Sequence, residues 1–411
     1  LHHKLKHIYI GVDLHKAHHT AVIINCWNEK LGEITIDNKP SEFSKLLKEV
    51  KKHTTKDISP VFGLEDVGGY GRSLAVYLVE NNQIVKEVNS ALSYAERKSY
   101  PTTQKSDSWD AKCIADVLLK KLDTLPDANP QDIYWTIRQL VTRRNALVKA
   151  LSALKNQLHT QLSYSYPSYK KFFSEIDGKT ALAFWEEYPS PKHMAGITEE
   201  QLTLFLREAS RNACSTRKAK AVLELIDKDG DTIREYQDSR DFLIQSHVRD
   251  IKFKKEEMKK VEKELKKMMA LLDYQLETMA GIDTVMASNI VAEIGDINRF
   301  SNPNKLARYA GIAPVNFSSG GKGKDQKSKQ GNRTLHGIFY FLAVQQVQVS
   351  KGSKIPRNPI SYEYYQKKIG EGKTKGQALV CIMRKLVNII YGMMKNKTPY
   401  RMPALPEKLA G

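Results

Sequence analysis

The chain has 411 residues, 41% of them hydrophobic, and its 65 Lys and Arg against 46 Asp and Glu give a formal charge of +19. That length suits two or three domains of roughly 100–200 residues each, and no run approaches the ~20 consecutive apolar residues of a membrane span. Cys26, Cys113, Cys214 and Cys381 lie far apart without Cys-x-x-Cys or histidine partner spacing, which argues against a zinc site and against a disulfide framework. No apolar segment of the secretory kind follows Leu1-His2-His3-Lys4, so a cytoplasmic protein with no membrane partner is expected.

Residues 1–125 read as an α/β unit. The stretch 8–25 holds two β-rich runs around a polar turn, and a single acid, Asp13, ends the first run. Its neighbours Ile8, Ile10, Val12 and Leu14 disfavour a carboxylate beside them unless a cation pairs with it. A metal ion is one such partner; an aspartate that caps a hairpin turn is the other reading. A third strand is expected at 32–37, then a helix from Pro40-Ser41 with Phe43, Leu46, Leu47 and Val50 at helical spacing. A strand at 59–63, a helix at 71–80 and a strand at 84–88 complete the pattern. Three strands in meander followed by β-α-β alternation predict a mixed sheet flanked by helices.

The acids fall at the ends of these elements. Glu65 follows the strand through Val61-Phe62-Gly63-Leu64, and Asp107 and Asp110 open a helix running through Ile114, Ala115, Val117 and Leu118. A spacing of three puts the two aspartates on one helical face, although first-turn acids also suit the helix dipole. Four carboxylates on one edge repel one another and become stable together around divalent cations, Mg2+ or Mn2+, as in two-metal phosphoryl transfer. Glu87, Glu96 and Asp116 are weaker candidates, Asp116 facing away on its helix.

The phrases Gly11-Val12-Asp13-Leu14-His15-Lys16 and Lys105-Ser106-Asp107-Ser108-Trp109-Asp110-Ala111 resemble the signatures of the RuvC-like DEDD transposases of the IS-one-ten family, relatives of the Piv DNA invertases. The resemblance implies an RNase H-like fold, with Asp13, Glu65, Asp107 and Asp110 as metal ligands and catalytic acids. It sets Lys16 and Lys105 near nucleic acid, although Lys105 and Lys112 also read as solvated or ion-paired lysines.

Residues 126–276 read as a helical region. Leu140, Leu147 and Leu154 recur every seven residues with Leu151 and Leu158 between them, and Ile244, Ile251, Met258, Leu265 and Leu272 repeat the pattern with Val261 and Met268. Such seams predict a coiled-coil linker, within the chain or between protomers. Residues 165–234 read as a small helical insertion without a functional assignment.

Residues 277–400 form a second candidate site, followed by a tail at 401–411. Residues 301–411 hold 20 Lys and Arg against 4 Asp and Glu, a balance of +16, so the first 300 residues contribute only +3. A concentrated basic segment is the footprint of a phosphate-neutralising protein. Met279-Ala280-Gly281-Ile282-Asp283 and 287–296 have the look of a helix-hairpin-helix, whose amides meet phosphate. Phe317-Ser318-Ser319-Gly320-Gly321-Lys322-Gly323-Lys324 reads unaided as a flexible loop. It resembles the C-terminal transposase domain of the same family, which implies Ser319 as a nucleophile on DNA through a phosphoserine intermediate, with Ser318 the alternative. Arg308, Lys322, Lys324, Lys327, Lys329 and Arg333 are the nucleic-acid candidates around it; His336 is a possible base or a packed helix residue, and Arg384 and Lys385 resemble the family's basic pair. The helix at 377–395 reads as core.

The fold class is thus α/β plus all-α: an RNase H-like N-terminal domain, a coiled-coil linker and a helical, serine-bearing C-terminal domain. The expected function is that of an insertion-sequence transposase on DNA, nucleoid-associated when active. The family likeness implies a structured guide RNA and a homo-oligomer, a dimer or dimer of dimers. A metal-dependent Holliday-junction resolvase and a non-catalytic nucleic-acid-binding scaffold are the alternatives.

Overall fold

A computed structural model of the chain describes residues 3–101, 105–319, 322–326, 328 and 330–403. They divide into two compact units, Leu1–Trp135 and Thr136–Gly411.

The first unit is built on strands β1 (His7–Leu14), β2 (His18–Ile24) and β3 (Lys30–Asp37), helix α1 (Pro40–Lys51), β4 (Ser59–Leu64), α2 (Arg72–Glu80), β5 (Ile84–Glu87), α3 (Ser90–Lys98) and α4 (Asp107–Lys121). The sheet order is β3-β2-β1-β4-β5, antiparallel across the first three strands and parallel from β1 through β4 to β5. This is the mixed RNase H-like sheet. Both faces are covered, which is why Ile8, Tyr9, Ile10 and Val12 are all buried. Ile8, Ile10, Val12 and Phe62 pack with Phe43, Leu46 and Leu74 on one face. Tyr9, Val22, Ile24 and Val61 pack with Ala111, Ile114 and Leu118 of α4 on the other.

Gly11 sets the closeness of that second layer. A Cβ on it would lie 2.1 Å from the Ala111 carbonyl oxygen and 2.3 Å from the Ala115 nitrogen. Only glycine lets the α4 backbone rest directly on β1, and that contact aligns the start of α4 with the end of β1. Helix α3 is absent from the sequence reading, although Asn89 caps it by accepting from the Ala91 amide.

The second unit takes up the long helix α5 (Asp132–Ser165), then α6 (Lys179–Glu187), α7 (Glu199–Ser210), α8 (Thr216–Asp229) and α9 (Gln237–Ala270). Residues 165–234 are a helical insertion, as expected. Its core joins Phe172, Phe184 and Trp185 to Leu151, Leu158 and Leu162 of α5 and to Ile244, Val248 and Ile251 of α9. The first half of the α9 seam is therefore filled by the insertion as well as by α5. The buried stripe also departs from strict heptads, running through Val141 where the pattern has Leu140 and through Met269 where it has Met268. Asp177, at the foot of the insertion, pairs with Lys155 of α5 at 2.7 Å and Lys255 of α9 at 2.6 Å.

The chain continues through α10 (Thr284–Ile294), α11 (Pro303–Tyr309), the hairpin β6 (Val315–Ser319) and β7 (Lys322–Gln326), α12 (Arg333–Gln346), α13 (Pro359–Gly370) and α14 (Lys375–Asn396). Gly281 and Gly295 turn the chain at positive φ on either side of α10, but Asp283 caps that helix itself, accepting from the Met286 amide at 2.7 Å. Helix α14 is, among the described residues, the one helix long and apolar enough by length and composition to cross a membrane. Here Ile382, Leu386, Val387 and Ile390 are buried, and the helix packs against α11, α12 and α13. All four cysteines are free.

Candidate functional site

Asp13 sits near the carboxyl end of β1, and Glu65 follows the end of the neighbouring parallel strand β4. Register pairs Val12 with Leu64, so the two acids take the next positions on adjacent strands. Across the sheet, Ser106 caps α4 by accepting from the Trp109 amide, which places Asp107 and Asp110 in the first turn. The sequence pattern of two strand-end acids and two helix-start acids is thereby gathered at one edge.

Two histidines of the β1–β2 turn complete the arrangement. His15 Nε2 lies 2.9 Å from Asp13 Oδ2 and 3.4 Å from Asp107 Oδ1, while His18 Nε2 lies 3.0 Å from Asp107 Oδ2. Asp13, His15 and Asp107 offer ligand atoms all within 4.8 Å of one another, which is close enough for one cation. Glu65 and Asp110 lie outside that group of three and are held from α3. Ser93 donates to Glu65 Oε2 at 2.7 Å, and Arg97 Nη1 lies 2.9 Å from Asp110 Oδ1.

The electrostatics match this division. Burial, then the charges of Asp110 and Asp107, push the Asp13 carboxyl above its usual range against the opposing pull of His15. The His18 contact, aided by the charges of His15 and His18, holds Asp107 below it despite partial burial. The Asp110 carboxylate raises the Arg97 guanidinium further, with Glu65 contributing. Asp13 Oδ2 and Asp110 Oδ1 are both buried without an aligned hydrogen-bond donor, since the neighbouring imidazole and guanidinium approach off the hydrogen-bond line. Buried carboxylate oxygens left in this state suit a divalent cation, and an all-oxygen set with one imidazole suits Mg2+ or Mn2+.

The weaker acids have structural roles. Asp116 is fully buried, paired with Lys112 at 2.5 Å, and accepts from Tyr100 Oη at 2.9 Å. Glu96 is bound to Lys120. Lys16 and Lys105 are exposed, in the β1–β2 turn and just before α4.

The remaining candidates belong to the second unit. Ser319 ends β6 opposite Lys322, and Ser318 pairs with Gly323, whose neighbour Lys324 faces Phe317 in the register. Lys327, Lys329, Gly320 and Gly321 lie outside the described residues. Arg308 is exposed on α11 and Arg333 opens α12. His336 spends Nδ1 on the Ala310 carbonyl at 3.3 Å. Arg384 donates to the Pro303 carbonyl and to Asn304, an anchoring role within the unit. His18, Ser93 and Arg97 were not identified from sequence. The Asn89 cap and the His18-His19 pair were the available signals, and neither says which acid it will meet.

An RNase H-like sheet with acids on adjacent parallel strands and on the helix across them defines a RuvC-like domain with a candidate metal centre. The wider chain is that of a transposase and belongs to the IS110/IS116 family. The DEDD transposase model of the IS110 type matches residues 10–167, and the model described as transposase IS116/IS110/IS902 family matches 273–366. The chain is 26% identical to the insertion element IS116 uncharacterized 44.8 kDa protein of Streptomyces clavuligerus, over 97% of each chain. It is 22% identical to the insertion element IS900 uncharacterized 42 kDa protein of Mycobacterium paratuberculosis, over 96% of this chain and 97% of the other. It is also 32% identical to the pilin gene-inverting protein of Moraxella bovis, over 30% of this chain and 37% of that one.

Proposed function

We propose that the chain cuts and rejoins DNA strands as the transposase of an insertion element, with Asp13, Glu65, Asp107 and Asp110 as its acidic centre and Ser319 as its nucleophile. The observation that carries this reading is the convergence of Asp13, His15 and Asp107 at the edge where Glu65 and Asp110 also lie. Those carboxylates would hold Mg2+ or Mn2+, which when bound supplies Lewis-acid stabilisation of phosphate charge. Of the chain's own groups, His18 orients Asp107, Ser93 orients Glu65 and Arg97 neutralises Asp110. In the cleavage step the Ser319 hydroxyl forms a bond to phosphorus as the ester bond to the departing strand breaks. The serine proton leaves to a base, the departing strand's oxygen takes one up, and a strand hydroxyl later displaces the serine in the reverse step.

The basic balance of 301–411 supports a nucleic-acid partner. A guide RNA encoded with the element is the second partner in this reading, and a dimer or dimer of dimers its working form. The relatives named for insertion elements and for pilin gene inversion support DNA rearrangement over simple resolution of junctions.

The test is incubation of the full chain with DNA bearing the junction of its native element and Mg2+, read on a denaturing gel. Asp13→Asn, Glu65→Gln, Asp107→Asn and Asp110→Asn should each abolish cleavage and keep DNA binding. Cleavage within a few-fold of wild type for two of the four overturns the acidic centre. Cleavage with no protein-DNA adduct supports the resolvase alternative.

A further inference from the structure

The second unit contains a cavity of ≈ 700 Å³ whose walls include Tyr340 of α12, Tyr364 of α13, Lys373, and Gln377, Lys385 and Asn388 of α14. Gln326, the last residue of β7, also borders it. Its volume falls within the roughly 300–1,000 Å³ of pockets that enclose a small organic molecule.

The wall chemistry is aromatic and cationic. Tyr340 is 47% exposed although it lies on a helix whose other face is core. Lys385 Nζ stands 3.3 Å above the centre of the Tyr364 ring, and Lys368 Nζ is 5.3 Å from the same centre. Glu371 is engaged by Lys368 at 2.6 Å, and Lys385 makes no ion pair among the described residues. Burial, then the charges of Lys368 and Lys367, hold its ammonium below the usual lysine range. A desolvated cation, oriented on an aromatic face and crowded by like charges, gains most from an anion. An exposed tyrosine ring beside it offers a surface for a flat, apolar group.

We propose that this cavity takes one unpaired nucleotide, its base against Tyr340 and its phosphate on Lys385 and Lys373. A duplex hides its base faces by stacking and pairing, so only an unpaired residue can use the ring. Arg384 borders the cavity but is tied to Pro303 and Asn304; it shapes the wall and leaves the phosphate to the lysines. The site rests on the reading of the chain as a nucleic-acid recombinase, and it adds a single-strand pocket bordered by the hairpin that carries Ser318 and Ser319.

The experiment is fluorescence anisotropy of the full chain, without divalent metal, using labelled oligo-dT, oligo-rU and a mixed-sequence duplex. Tyr340→Ala should weaken single-strand binding by roughly five- to hundredfold, the range for loss of one base-aromatic stack, with duplex binding within about twofold. Tyr340→Phe should restore it, because the ring face is kept. Lys385→Gln should weaken single-strand binding and leave the melting temperature unchanged, which guards against a folding defect in the tyrosine variant. A loss on oligo-dT alone assigns the nucleotide to DNA, a loss on oligo-rU alone to RNA, and a loss on both to either strand. Unchanged single-strand affinity in both variants, or a parallel fall on single strand and duplex, overturns the proposal. A catalytically inactive chain can still pass, so failure of the recombinase reading remains separable; a chain that binds no probe overturns both.

Discussion

Arg97 holds Asp110: its Nη1 lies 2.9 Å from Asp110 Oδ1, and the guanidinium also feels Glu65. Arg97 thus supplies from α3 the positive charge that a divalent cation would bring to the same acids. Arg97→Gln should lower the melting stability of the metal-free chain by about 1–3 kcal/mol, the cost of leaving a buried acceptor without its charged partner. It should also tighten Mn2+ binding in calorimetric titration, because the competing internal cation is gone. Weaker Mn2+ binding would identify Arg97 instead as a group that positions Asp110.

Gly11 determines whether the acids meet at all. Gly11→Ala drives a methyl into the α4 backbone at Ala111 and Ala115, and neither backbone atom can yield as a flexible side chain would. The expected destabilisation is about 1–3 kcal/mol, measured by urea unfolding, with loss of cleavage even where the protein remains folded. Full cleavage in this variant would show that α4 can shift without disturbing Asp107 and Asp110.

The two serines at the end of β6 are separable. Ser319→Ala should leave nucleic-acid binding intact and remove the protein-DNA adduct from a denaturing gel, whereas Ser318→Ala should retain it. The reverse result moves the nucleophile by one residue.

Acid stability should report on Asp177. Burial alone would raise its pKa, but the contacts with Lys155 and Lys255 outweigh that, and the carboxyl titrates below the usual aspartate range. With the folded pKa depressed, the stabilisation is present above the unfolded value of about 3.9 and is lost as pH falls through the folded one. Asp177→Asn should therefore destabilise the helical insertion at neutral pH and flatten the acid limb of a stability-pH curve. A variant whose curve stays parallel to wild type would remove Asp177 from that account.

Salt dependence tests the basic region. Each phosphate neutralised should add a log-log slope of about −0.9 on duplex DNA and about −0.7 on single strands. Protein purified from cells carrying its native flanking DNA should retain a discrete RNA, and changing that RNA's unpaired loops should redirect recombination. Full activity and specificity in RNA-free protein would return sequence reading to the basic region itself.

Periodicity and end-residue chemistry are local, and they carried the first sheet, its flanking helices and the helical insertion. They also showed the strand-end positions of Asp13 and Glu65 and the shared face of Asp107 and Asp110, because a strand alternates and a helix turns in ways a single segment records. Which groups face those acids is a long-range matter. His18 reaches Asp107 across 89 positions of sequence, and Ser93 reaches Glu65 across 28; no spacing rule encodes either. The same holds for the stripe of α9, where heptad spacing could not say that Ile244 and Ile251 would pack with Phe172 and Trp185. Lys385 read as one half of a basic pair until the packing of α13 on α14 put Tyr364 beneath its ammonium. Local sequence determines which face an element turns inward, whereas the partners on that face follow from how elements distant in the chain close-pack.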